Sequence, residues 1–137
     1  MTTKSELAAF LATEFPQTKV TVESVGNGTA RVRHAIGFDE LRPGGTVSGP
    51  VLMGVADVGL YVAICGAVGL TIDVATTNLN TSFLRMPPGD RDIIGECRLL
   101  KVGRTLIVGE ASLFSDGDER PVAHVVGTYA RLPRKAP

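Results

Sequence analysis

The rhythm of apolar and polar positions changes several times along the chain, and each change marks an element. Leu7, Phe10, Leu11 and Phe15 fall on one helical face, Ser5 stands where a cap belongs, and Pro16 follows the last of them. A short surface helix lying on an apolar partner is expected. Residues 19–24 and 29–34 then alternate with period two around Gly26-Asn27-Gly28, which tolerate positive φ, and this predicts a β-hairpin. Past the loop Arg42-Pro43-Gly44-Gly45 the alternation stops, and residues 49–69 read as a helix that is apolar on nearly every side and broken by Gly66 and Gly69.

Beyond that helix the period returns to two. Strands are expected at about 73–86, 91–102, 104–115 and 121–132, separated by Pro87-Pro88-Gly89-Asp90, by Gly103 and by Asp116-Gly117-Asp118. The tail 133–137 is expected to fray. A helix too apolar to be exposed needs covering, and a sheet that curls around it does so with the fewest elements. The expected class is α+β, a curved antiparallel sheet wrapped around one long central helix, forming a single domain over residues 1–137.

Within this pattern Asp57 stands apart. From residue 43 to residue 72 it is the only ionisable carboxylate, and no Lys, Arg, Glu or His shares the span. A carboxylate placed among apolar neighbours is costly unless it is paired or hydrogen-bonded, so its presence there points either to a structural hydrogen bond or to chemistry. The same acid argues against a membrane span, as do the glycines that interrupt the segment and the lack of flanking basic or aromatic belts.

Composition narrows the choice of partner. Lys plus Arg equals Asp plus Glu at 14 each, which provides no field of one sign for nucleic acid or an anionic membrane. Cys65 and Cys97 form neither a metal spacing nor a disulfide framework and read as small core residues. No basic region followed by an apolar run opens the chain, and a reducing, cytoplasmic setting is expected. His34 shares strand parity with Val32 and reads as half-buried; His124 has no acid at ligand spacing; no metal site and no cofactor are expected.

The order of elements, the string Gly45-Thr46-Val47-Ser48-Gly49-Pro50-Val51-Leu52-Met53-Gly54-Val55-Ala56-Asp57, the string Thr76-Thr77-Asn78-Leu79-Asn80-Thr81-Ser82-Phe83-Leu84-Arg85 and the hairpin Lys101-Val102-Gly103-Arg104 resemble the hotdog-fold acyl-CoA thioesterases of the phenylacetate-degradation (PaaI-like) type. The likeness spans nearly all of the chain after the first helix. It implies hydrolysis of an acyl-CoA, with the Gly49 backbone N–H polarising the thioester carbonyl and Asp57 acting as nucleophile or as general base. Unpartnered N–H groups at the positive end of a helix are suited to the first role. Thr76, or Thr77 one position away, matches a hydroxyl that family members place near the acid. Asn80 lies in the same matching strand. Arg85, Lys101 and Arg104 are candidates for the coenzyme A phosphates, with a solvated face as the plain alternative.

Spacing adds a consequence of its own. Eight residues separate Gly49 from Asp57, which at about 1.5 Å per residue puts them roughly 12 Å apart along one helix. A single carbonyl cannot touch both. If both act on it, one comes from a second copy across a two-fold interface, so a homodimer, paired again into a tetramer or not, is expected. The family's composite sites agree.

Three positions depart from the family pattern. Ser48 replaces its His, Pro50 replaces its second Gly and thereby removes one N–H donor, and Arg42 stands where many members have Asn. Ser48 and Pro50 also suit the first turn of a helix on structural grounds. Gly54 and Gly59 suggest close approach of another backbone or room for an acyl chain. Dehydratase or hydratase chemistry within the same fold needs a site His beside an acid, and none lies between His34 and His124. A non-catalytic acyl-CoA binding domain is the reading from a different class.

Overall fold

The computed structural model describes residues 2–133. Helix α1 (Lys4–Glu14) is followed by strands β1 (Val20–Gly26) and β2 (Thr29–His34), a 3-10 turn at Phe38–Glu40, and the long helix α2 (Gly49–Val68). Strands β3 (Val74–Phe83), β4 (Ile93–Val102), β5 (Leu106–Ser115) and β6 (Ala123–Arg131) complete one antiparallel sheet in the order β1-β2-β4-β5-β6-β3. The expected fold is the observed one: a six-stranded curved sheet with a single helix along its inner face.

The boundaries shift for local reasons. Thr3, not Ser5, caps α1, because Thr3 has Glu6 three residues on: the Glu6 N–H donates to Thr3 Oγ1 and the Thr3 N–H to Glu6 Oε1, both at 3.2 Å. Ser5 has Ala8 at that offset and cannot close the reciprocal pair. Strand β3 stops at Phe83 rather than near residue 86, since the Leu84 and Arg85 N–H groups both turn to the Val122 carbonyl. Strand β5 begins two residues late because the Gly103 N–H donates to the Leu106 carbonyl and makes the turn tighter than the sequence suggests. In the β1–β2 hairpin Asn27 and Gly28 carry φ of 54° and 72°, as a two-residue turn of this hand requires. Of the tail expected to fray, only Pro133 lies within the described residues.

How an almost entirely apolar helix seats against a sheet is visible at Leu60. Its methyl groups occupy a hollow above Gly109 and Gly127, which face each other across β5 and β6; a Cβ at either glycine would come within 2.7 to 2.9 Å of Leu60. Gly59 plays the reciprocal part on the helix, with Cys97 Sγ and Val32 pressed against it, so it answers to side chains rather than to another backbone. Cys65 and Cys97 are both buried and free. Helix α2 is long and apolar enough to cross a bilayer by length and composition; here Leu52, Val55, Ala56, Leu60, Val62, Ala63 and Ile64 are packed into the protein core.

Burial of α2 is nonetheless incomplete, and the exception matters. Pro50 and Gly54 are exposed, and Met53, Asp57 and Tyr61 are half-buried; these five positions form one strip along the helix. The sequence suggested a carboxylate enclosed by apolar neighbours, whereas the fold places Asp57 on the one side of α2 that the sheet leaves open. Strand β3 borders that strip as an edge strand, and most of its residues are exposed.

Candidate active site

Asp57 lies on the wall of a cleft of about 200 Å³ formed by Glu14 and Phe15 at the end of α1, Val58 and Tyr61 on α2, Ile72 and Val74 leading into β3, and Thr76 and Tyr129. Helix α1 is therefore part of the site, which its sequence pattern did not suggest. The ring of Phe10 packs near that of Tyr61, centroids 6.4 Å apart, and fastens α1 to α2 beside the cleft.

Two hydroxyls converge on one oxygen of the acid. Thr76 Oγ1 donates to Asp57 Oδ1 at 2.8 Å, and the Tyr129 phenol donates to the same Oδ1 at 2.8 Å, with a longer contact of 3.3 Å to the Asp57 carbonyl. They arrive together because Thr76 and Tyr129 are register partners across β3 and β6, next to a bulge in β3 between Thr76 and Asn78. That bulge carries Thr77 off to a different bond, its hydroxyl donating to the Thr128 carbonyl at 3.1 Å. Of the two adjacent threonines, Thr76 meets the acid.

Tyr129 was missed in the sequence, although a signal existed. Along β6 the inward positions run Ala123, Val125, Gly127, Tyr129, and Tyr129 is the one among them with a polar atom. Burial, reinforced by the Asp57 charge, pushes its phenol far above the ordinary range, so it remains a donor at any working pH.

At the other end of the strip lies the beginning of α2. Ser48 caps it, with its Oγ accepting from the Val51 N–H at 3.4 Å, and Pro50 fills the first turn. The Ser48 N–H donates to the Glu40 carbonyl at 2.9 Å, which fixes the chain just before Gly49. The Gly49 N–H makes no hydrogen bond among the described residues, and the Phe83 ring stands 3.3 Å from where a Gly49 Cβ would be. Arg42 stays in the preceding loop, exposed, with its guanidinium donating to Thr46 Oγ1 at 3.3 Å. Gly54 has open space above it.

The remaining candidates are dispersed within one copy. Arg85 follows β3 beside the start of β6, whereas Lys101 and Arg104 sit at the β4–β5 turn near its end, so about 20 to 30 Å of strand separates them. Asn80 is exposed on β3, paired with Val126. His124 has found an acid through sheet register rather than sequence spacing: its Nε2 lies 3.0 Å from Glu110 Oε1 on β5. His34 is half-buried, as its parity implied. No group of three metal-ligating side chains occurs among the described residues.

Comparison with known proteins points one way. The Thioesterase superfamily profile matches residues 44–122, which includes both the start of α2 and Asp57. A candidate thioesterase from Silicibacter sp. TM1040 is 40% identical, with 96% of this chain and 92% of that one aligned at a TM-score of 0.86. The fold is shared with zebrafish thioesterase superfamily member 2 (20% identity, 96% and 99% covered, TM-score 0.84) and with a mutant of the phenylacetic acid degradation protein PaaI from Thermus thermophilus (20%, 82% and 93%, 0.73). Among curated proteins no sequence matches. By the extent of the profile match and the 40% identity, this chain belongs to the Thioesterase superfamily.

Proposed function

We propose that the protein hydrolyses an acyl-CoA thioester to a carboxylic acid and coenzyme A. The observation that carries the reading is the Asp57 carboxylate, fixed by two hydroxyls at a cleft wall, on the same open strip of α2 as the unpartnered Gly49 N–H. In the general-base form, Asp57 takes a proton from water as the water oxygen bonds to the thioester carbon. Charge gathers on the carbonyl oxygen, where a Gly49 N–H stabilises it. The C–S bond then breaks and the thiolate leaves with the proton that Asp57 held. In the nucleophilic form Asp57 bonds to the carbon itself, the C–S bond breaks and the coenzyme A thiolate leaves, and water then cleaves the anhydride to the free acid and the Asp57 carboxylate.

The two groups belong to different copies of the chain in this proposal. Strand β3 is an exposed edge that runs from the Asp57 end, at Thr76, to the Gly49 end, at Phe83. Adding the β3 of a second copy antiparallel to it sets one copy's Gly49 end beside the other's Asp57 end. The same addition brings one copy's Arg85 toward the other's Lys101 and Arg104, which suits a coenzyme with several phosphates. Phe15, Val58, Tyr61, Ile72 and Val74 suit an uncharged acyl group, and the charged residues lining the cleft, Glu14 and Asp57, are both acidic, which disfavours an acyl chain ending in a carboxylate.

Release of free thiol from a panel of acyl-CoAs tests the activity; binding without release supports the non-catalytic alternative that Ser48 and Pro50 keep open. A mixing experiment tests the shared site. Asp57→Asn lacks the base, and Gly49→Val covers the N–H. If each site takes one group from each copy, randomly mixed dimers of the two inactive variants regain about a quarter of the wild-type rate. No regain means that the site does not draw these groups from two copies.

A further inference from the structure

The Asp57 carboxylate is asymmetric in a way that the general roles of base and nucleophile do not specify. Oδ1 receives two donors, Tyr129 and Thr76, each at 2.8 Å, which occupies both of its lone-pair directions. Oδ2 receives none among the described residues. We infer that Tyr129 is the positioning residue of this site: with Thr76 it locks Oδ1 and leaves Oδ2 as the oxygen that takes the proton from water or bonds to the thioester carbon. The inference rests on the thioesterase reading above and deepens it.

Three features support the assignment. The phenol belongs to one of the most enclosed large side chains of the core, 2% exposed, so its direction is set by packing and not by the ligand. Space for the ring is provided by Gly127: a Cβ there would meet Tyr129 Cε1 at 3.0 Å and Leu79 Cδ2 at 3.1 Å. Thr76 reaches the acid from the facing position of the edge strand, so the two donors arrive from different strands and fix the carboxylate plane as well as its distance. A carboxylate held in this way keeps Oδ2 free of these donors and need not reorganise during reaction.

Tyr129 offers the cleft little surface, 2% exposed, and its hydroxyl is committed to Asp57, so its part in the reaction runs through that acid. Its removal therefore lowers kcat and leaves KM in place. Tyr129→Phe keeps the ring and its packing while deleting the donor, and a lost hydrogen bond to a charged group corresponds to roughly a ten- to hundredfold fall in rate. Thr76→Val is expected to act in the same direction by a smaller factor, and Thr76→Ser, which restores the hydroxyl, to recover most of the loss. The experiment is steady-state thiol release by the wild type and the three variants on the best acyl-CoA of the panel, with thermal melting as the control for folding. Depressed kcat at near-constant KM in Tyr129→Phe, with recovery from Thr76→Val to Thr76→Ser, supports the inference. Wild-type kcat in Tyr129→Phe, or a loss confined to KM, overturns it while leaving the thioesterase reading intact. A wild-type protein that releases thiol from no acyl-CoA overturns that reading and this inference together.

Discussion

The two ends of the open strip on α2 are built to different degrees of completion. At Asp57 every element converges within one chain: β3 brings Thr76, β6 brings Tyr129, α1 closes the cleft with Phe15, and the carboxylate has its donors. At Gly49 the preceding chain is fixed by the Glu40 carbonyl and the Ser48 cap, yet the N–H itself meets nothing among the described residues, and Phe83, Leu84 and Met86 nearby are 52 to 71% exposed. One end is enclosed and the other is open. An edge strand, exposed apolar side chains and a free helix N-terminus lie side by side there, and this is the surface on which the proposed second copy would pair.

Substitutions at the two ends should therefore fail in different ways. Asp57→Asn is expected to lower kcat by about a thousandfold, the middle of the range for loss of a general base, with the proposed dimer and the melting temperature retained. Thiol release and gel filtration check both halves of that statement. Phe83→Asp should do the opposite: a charge at the end of β3 opposes pairing, so the protein elutes as a monomer and turnover falls by roughly a hundredfold at low concentration, recovering as concentration rises. A monomer of Phe83→Asp with full turnover at every concentration would erase the distinction between the ends.

The enclosed end has its own weak point at Gly127. Gly127→Ala puts a methyl group 2.9 Å from Leu60 and 3.0 Å from the Tyr129 ring, both held in the core. Crowding of this kind costs about 1 to 3 kcal/mol, and a shift of the ring would disturb the bond from its hydroxyl to Asp57. Stability and kcat should fall together, in contrast to Tyr129→Phe, where kcat falls alone. Denaturant titration beside steady-state kinetics separates the two.

What could be read from the sequence follows the same division. The loss of period-two alternation before residue 49 and its return after residue 72 located the long helix and the strands around it, and the isolated Asp57 located the acid. Both signals are local, carried by neighbours along the chain. The partners of that acid are not local. Tyr129 lies 72 residues away, and its hydrogen bond depends on sheet register and on a one-residue bulge in β3, which also decides that Thr76 and not Thr77 reaches Oδ1. Nor was it legible which side of α2 stays open: in the strip of Pro50, Met53, Gly54, Asp57 and Tyr61 only Asp57 is charged, and one acid does not mark a face.

The smallest effect expected concerns what holds the start of α2. The Glu40 side chain is buried, accepts from Lys19 Nζ at 2.8 Å and from the Gly37 N–H at 2.8 Å, and has Asp39 and His34 as its other titratable neighbours; its carbonyl accepts the Ser48 N–H. The Lys19 ammonium, with the Gly37 N–H and against the opposing effect of burial, holds the Glu40 carboxyl below its ordinary value of 4.5. A carboxyl depressed on folding contributes stability above pH 4.5, and that contribution is lost as the pH falls through the folded-state value. Glu40→Gln should therefore cost about 1 kcal/mol at neutral pH, allowing for the solvent that reaches Lys19, and lower Tm by about 3 °C. The difference from wild type should shrink on acidification below pH 4.5. A gap in Tm that stays constant from about pH 7 to about pH 3 would mean that Glu40 steadies the start of α2 through its shape and not its charge, and would leave Lys19 without a part in presenting the Gly49 N–H.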